Sequence, residues 1–135
     1  MKVVIDSNVL FRILITGGEI TNLLKDNNLK IFGPKKLQEE FNNNREEILH
    51  KSKLPSNEVF RLISLFSKVI TFIPKEEYKP FLPQAKQLLK DHNKDEDFIA
   101  LCLAKNIKLW TYEDLLFKIG FGISTKQISE ELSKW

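Results

Sequence analysis

Carboxylates recur at four places where a folded chain can gather them. Asp6 ends the run Val3-Val4-Ile5, Glu40 precedes Phe41, Asp95 follows Lys94, and Glu113 and Asp114 follow Leu109-Trp110-Thr111-Tyr112. Three or four such groups within a few ångströms of one another repel, and their pKa values rise unless a divalent cation neutralises them. Oxygen ligands without a cysteine or histidine cluster select a hard ion, Mg²⁺ or Mn²⁺. His50 and His92 match no zinc spacing, and Cys102, the only cysteine, reads as a small core hydrophobe. Hydrolysis of phosphodiester bonds is the chemistry natural to a hard-metal carboxylate site.

The elements around these acids make their meeting plausible on physical grounds. Val3-Val4-Ile5 reads as the interior of a strand over 2–6 covered on both faces, and ligands of such sheets sit beyond the carboxyl ends of the strands. Asp6 stands at that end, before a helix over about 8–16, although Asp, Ser and Asn also make good helix caps. A short helix over about 19–26 and a strand at Leu29–Phe32 follow. Gly33-Pro34 reads as a break, with Pro34 opening a helix through Leu37, Phe41 and Ile48 that the Asn42-Asn43-Asn44 triplet weakens. On that helix Glu40 falls at the edge of the buried stripe and Glu39 points away. A flanking surface carboxylate is the commoner fate of a helical Glu.

Further on, Pro55-Ser56 opens an amphipathic helix, Val69–Ile73 reads as a strand closed by Pro74, and the stretch holding Tyr78, Phe81, Leu88 and Leu89 has no clear period. A helix over about 95–105 places Asp95 on the face of Phe98 and Ile99, with Asp97 turned to the opposite side. Acids at a helix start are also favoured by the macrodipole alone. A strand over Ile107–Thr111 and a short helix near 113–118 then repeat the pattern of the opening, a strand whose end carries acids. Thr111 either orients a ligand water or finishes the strand. Ser124 to Gln127 matches a capping box that starts a terminal helix. Alternation of this kind predicts a three-layer α/β/α sandwich with a mainly parallel central sheet.

Composition is consistent with one soluble globular domain spanning 1–135: 42% of the residues are hydrophobic and 29% charged. No apolar run is long enough to span a bilayer, and the N-terminal apolar segment, broken by Asp6, Asn8 and Arg12, is unlike a signal peptide. The expectation is a cytoplasmic protein with no membrane partner. The net charge of +3 becomes informative if several of the 18 acids share one site, because the remaining surface is then more basic. Lys35, Lys36, Arg45, Lys51 and Lys53 crowd one stretch and can contact phosphates, or form an ordinary solvated face.

The order Val4-Ile5-Asp6-Ser7-Asn8-Val9-Leu10, Gly33-Pro34 with Leu37, Glu40 and Phe41, Lys94-Asp95 with Phe98-Ile99-Ala100-Leu101, and Leu109-Trp110-Thr111 resembles a PIN domain over nearly the whole chain. The resemblance implies a ribonuclease dependent on Mg²⁺ or Mn²⁺, of the kind that serves as toxin in prokaryotic toxin–antitoxin pairs. It implies Asp6, Glu40 and Asp95 as the first three acids, with Asp6, Asp95, Glu113 and Asp114 toward the metal and Glu40 toward the attacking water. Ser7, Asn8 and Thr111 match the supporting polar positions. Arg12, Lys35, Lys36 and Arg45 are the candidates for contact with an RNA backbone, and an antitoxin protein and a second copy of the chain are the implied partners. The fourth acid departs from the family pattern, which usually places an Asp where Glu113 stands. That departure motivates an alternative, a PIN-like domain of weak or no catalysis that binds RNA or protein. A phosphotransfer fold fits less well, since a phosphatase of the haloacid dehalogenase type wants a second Asp where Asn8 stands.

Overall fold

The computed structural model describes residues 1–135, the side chain of Asn93 excepted. Five strands, β1 (Lys2–Ile5), β2 (Lys30–Pro34), β3 (Ile70–Ile73), β4 (Lys108–Trp110) and β5 (Gly122–Ile123), form one sheet in the order β3-β2-β1-β4-β5. Every pairing is parallel. Nine α-helices connect and cover them among the described residues: α1 (Ser7–Thr16), α2 (Thr21–Leu24), α3 (Lys35–Asn43), α4 (Arg45–Lys51), α5 (Ser56–Val69), α6 (Leu82–Leu89), α7 (Glu96–Lys105), α8 (Asp114–Lys118) and α9 (Thr125–Leu132). This is the α/β/α sandwich expected from the alternation of elements. Among the described residues no helix is long and apolar enough to cross a membrane.

β1 is the middle strand, and Val3, Val4 and Ile5 are all fully buried, as an uninterrupted β-branched run requires when both faces are covered. One cover is α1, which packs against α4 and α5; α7 lies against β1, β2 and β4 and is itself backed by α6. Because all strands run the same way, their carboxyl ends form one rim. Asp6 follows β1 there, Lys35 follows β2, Pro74 follows β3 and Thr111 follows β4.

Several boundaries differ from the sequence expectations for physical reasons. Gly33 and Pro34 do not break the chain before the helix; they are the last residues of β2, paired with Phe72 and Ile73 of β3. A proline is tolerated at the end of a strand because little of the ladder follows it. A side chain at Gly33 would put its Cβ 3.0 Å from a methyl of Leu37, so glycine lets the first turn of α3 close onto the strand. The helix expected to run through Ile48 is divided at Asn44, whose side-chain amide donates to the Glu40 carbonyl and so ends α3. The unassigned stretch after Pro74 holds two 3₁₀ turns, Lys75–Glu77 and Lys79–Phe81, and then α6. β5 was not foreseen; it is two residues long. Ser124 and Gln127 form the expected capping box at the start of α9.

Candidate active site

Asp6 is the residue the fold fixes most firmly. Its backbone N–H donates to the Trp110 carbonyl at 2.9 Å, extending the β1–β4 ladder by one bond. The residue is 1% exposed, and its Oδ2 accepts from the Thr111 hydroxyl at 2.7 Å. Asp6 does occupy the N-cap position of α1, yet its side chain closes no capping hydrogen bond. The carboxylate points into the rim instead, with the Ser7 hydroxyl 3.5 Å from Oδ1.

Asp95 stands immediately before α7 and is also buried without a capping bond. The 3₁₀ turn Asn93–Asp95 ahead of the helix sets its direction, and it shares the inward side with Phe98 and Ile99, both buried, as the residue spacing predicted. Glu113 follows β4 at the N-cap of α8. Its N–H donates to the Thr111 oxygen at 3.1 Å, and its Oε1 accepts from the Asn8 amide at 3.0 Å. Thr111 thus holds Asp6 with its proton and Glu113 through its lone pair. Orienting these two acids is a role beyond the two left open for this residue, orienting a ligand water or finishing the strand.

Asp6, Asp95 and Glu113 each bring one carboxylate oxygen to within 4.8 Å of the others. Their electrostatics register that crowding. Burial pushes the Asp6 pKa up and the charge of Asp95 adds to the rise, against the lowering effect of the Thr111 hydrogen bond. Burial, the charge of Glu113 and a hydrogen bond with it raise Asp95 from 3.8 to about 6. Three acids held this close, two of them buried and Glu113 half-buried, are unfavourable when all are ionised, and a hard divalent cation is a partner that relieves them. The donor set, all oxygen, fits Mg²⁺ or Mn²⁺.

Glu40 is half-buried on α3 while Glu39 is exposed, in agreement with their placement on the helix. Burial raises the Glu40 pKa, Lys36 lowers it, and the charges of Asp6, Asp97 and Asp95 raise it further, so Glu40 faces the same anionic field without joining the trio. Asp114 does not join either: it lies exposed in the first turn of α8. Arg45 is exposed at the start of α4, beside Gln38 and Phe72, rather than on the rim. Lys35 and Lys36 open α3 on the rim, and Arg12 on α1 stacks over the ring of Tyr112 at 4.9 Å.

Asp97 was expected on the far side of its helix and is half-buried near Glu40. Tyr78, itself buried, donates its hydroxyl to Asp97 Oδ2 at 2.5 Å. No spacing rule links residues 78 and 97. The only signal in the sequence is an aromatic residue among charged neighbours, Glu76, Glu77 and Lys79.

A family model described as PIN domain matches residues 4–133. No curated protein and no solved structure matches the chain.

Proposed function

The chain belongs to the PIN-domain family, and from that premise we propose that it is a metal-dependent endoribonuclease. The observation that carries this reading is the convergence of Asp6, Asp95 and Glu113, whose carboxylates stand close together at the carboxyl rim of the sheet. Asp6, Asp95 and Glu113 would hold Mg²⁺ or Mn²⁺, which when bound would supply charge neutralisation at the phosphate and acidification of water. Asp6 and Glu113 are kept in place for this by Thr111 and Asn8. Glu40, with its raised pKa, accepts a proton from the attacking water. That water forms the new bond to phosphorus as the in-line bond to the 3′-oxygen breaks, and the departing 3′-oxygen takes a proton from solvent, leaving a 5′-phosphate and a 3′-hydroxyl. The family also makes the toxin of a type II toxin–antitoxin pair the biological role we favour, acting in the cytoplasm as a homodimer and restrained by an antitoxin.

The test is cleavage of a single-stranded RNA with Mn²⁺ present and after its removal by EDTA. Cleavage is expected to require the ion and to be lost in Asp6→Asn and Asp95→Asn. Undiminished cutting by either variant overturns the assignment of the site. A Glu in place of the usual Asp at 113 favours a second reading, a module that binds RNA or protein without cutting; failure of the native chain to cut while still binding RNA would establish it.

A further inference from the structure

The two edges of the sheet are built differently. β5, at one edge, is two residues long, and the Phe117 ring of α8 lies against its Gly122. β3, at the other, is the four-residue run Ile70-Thr71-Phe72-Ile73, uncharged, paired with β2 in unbroken register, and followed by its first proline only at Pro74. Edge strands usually carry a charge, a bulge or a proline, because their outward N–H and C=O groups are a template for another strand. Thr71 is exposed and Phe72 half-buried. Among the described residues, no hydrogen bond outside the β2–β3 ladder takes up the backbone of Thr71, Phe72 or Ile73.

An apolar strip runs beside this edge. On α5, Phe60, Ile63 and Ser67 share one stripe; Phe60 is 47% exposed, and Ile63 and Ser67 meet Phe72 at a hollow of about 50 Å³. The ends of the strand differ in charge. Lys68 stands just before β3, while Lys75, Glu76 and Glu77 follow Pro74. Lys68, Glu76 and Glu77 are exposed, and the ion pairs among the described residues, Lys51–Glu47, Arg61–Glu58 and Lys134–Glu131, include none of them. One end is therefore positive and the other, with two acids against Lys75, negative. A strand of this kind complements itself: a two-fold axis lays the positive end of each copy beside the negative end of the other, so the favourable contact is made twice.

We infer that the outer edge of β3 is the surface on which a second copy of this chain pairs, antiparallel about a two-fold axis, joining the two sheets into one. Phe72 stands near the axis opposite the partner's Phe72, an aromatic cross-strand pair, and Lys68 approaches the partner's Glu76 and the partner's Glu77. Phe60 and Ile63 are covered from the same side. A second copy fits better than an extended segment of another protein because the charges of the strand ends complement each other. Antiparallel pairing turns the carboxyl rims of the two copies in opposite directions, and Asp6, Asp95 and Glu113 meet within one chain. The surface gives the proposed homodimer its location, and pairing on it requires no catalysis.

Sedimentation equilibrium of the full chain in EDTA tests this, at concentrations up to about 0.1 mM because a short strand with one helix flank makes a small interface. The native chain is expected to dimerise reversibly. Thr71→Lys, at an exposed position, should leave the far-ultraviolet dichroism unchanged and the chain monomeric. Lys68→Glu alone should raise the dissociation constant about tenfold, as should Glu76→Lys with Glu77→Lys, and the three changes together should restore it. Carbodiimide, which condenses a lysine amine and a carboxylate into an amide with loss of water, should join Lys68 to Glu76 or Glu77 between an isotope-labelled and an unlabelled chain. A monomeric native chain overturns the inference. So does a dimer indifferent to Thr71→Lys or to the charge reversals, which belongs to another surface such as the groove of Phe11, Ile15 and Ile48 between α1 and α4. RNA cleavage by a native chain that stays monomeric removes this surface and leaves the nuclease reading standing; a dimer that meets every expectation but never cuts with Mn²⁺ does the reverse.

Discussion

Asp95→Asn should make the metal-free protein more stable at neutral pH while removing its affinity for the ion. The folded protein holds the Asp95 proton more tightly than the unfolded chain does, since the pKa rises from 3.8 to about 6 on folding. An acid with a raised folded pKa costs stability when it ionises: the cost is absent below about pH 4 and fully present above about pH 6. At about 1.36 kcal/mol per pH unit the cost would be about 3 kcal/mol in a sealed site. Water at the open side of the pocket and sharing of the proton with Glu113 reduce the expected figure to about 1–2 kcal/mol. Urea denaturation in EDTA is therefore expected to show Asp95→Asn more stable than the native chain by that amount at pH 7, with the gap closing toward pH 4. With a divalent ion at about a hundredfold its Kd, the native chain gains about 2.7 kcal/mol and the order reverses. A variant less stable than the native chain at pH 7 without metal, or a gap that ignores pH, would refute the account of Asp95 as a strained anion.

Two other substitutions probe the support of the site and the fold. Thr111→Val keeps the buried shape but removes both the donor to Asp6 and the acceptor for the Glu113 amide; metal affinity measured by calorimetry should fall by about tenfold or more, about the value of a hydrogen bond to a charged group, and Thr111→Ser should restore it. Gly122→Ala places a Cβ 2.7 Å from the Phe117 ring, and urea unfolding should show a loss of about 1–3 kcal/mol through overpacking.

The parts of the structure visible in the sequence are those with a local physical signature. Val3 to Ile5 announced a doubly covered strand through unbroken β-branched residues, and Asp95 was aimed inward by its spacing from Phe98 and Ile99 alone. Ser124 and Gln127 marked a helix start through reciprocal hydrogen bonds. β5 escaped because two residues carry no period, and its pairing with β4 is a tertiary event. Asp97 escaped because its position is set by Tyr78, whose hydroxyl reaches it from a separate segment. At the fourth acid, residue type could not separate Glu113 from Asp114. Thr111 and Asn8 make the distinction, binding Glu113 while Asp114 turns out into α8.

The placement of β1 between β2 and β4 has a consequence for the birth of the molecule. Residues 1–106 can build β1 to β3 and most of the helical cover, but Asp6 meets Thr111 and Glu113 only across a separation of about a hundred residues. Contacts so distant along the chain close late, after the loop entropy of everything between them has been overcome. A ribosome that has made the chain only as far as α7 carries a fragment with Asp6 and Asp95 but neither Glu113 nor the threonine that orients the first acid. The acid cluster is thus withheld from the growing chain until its fourth strand is in place.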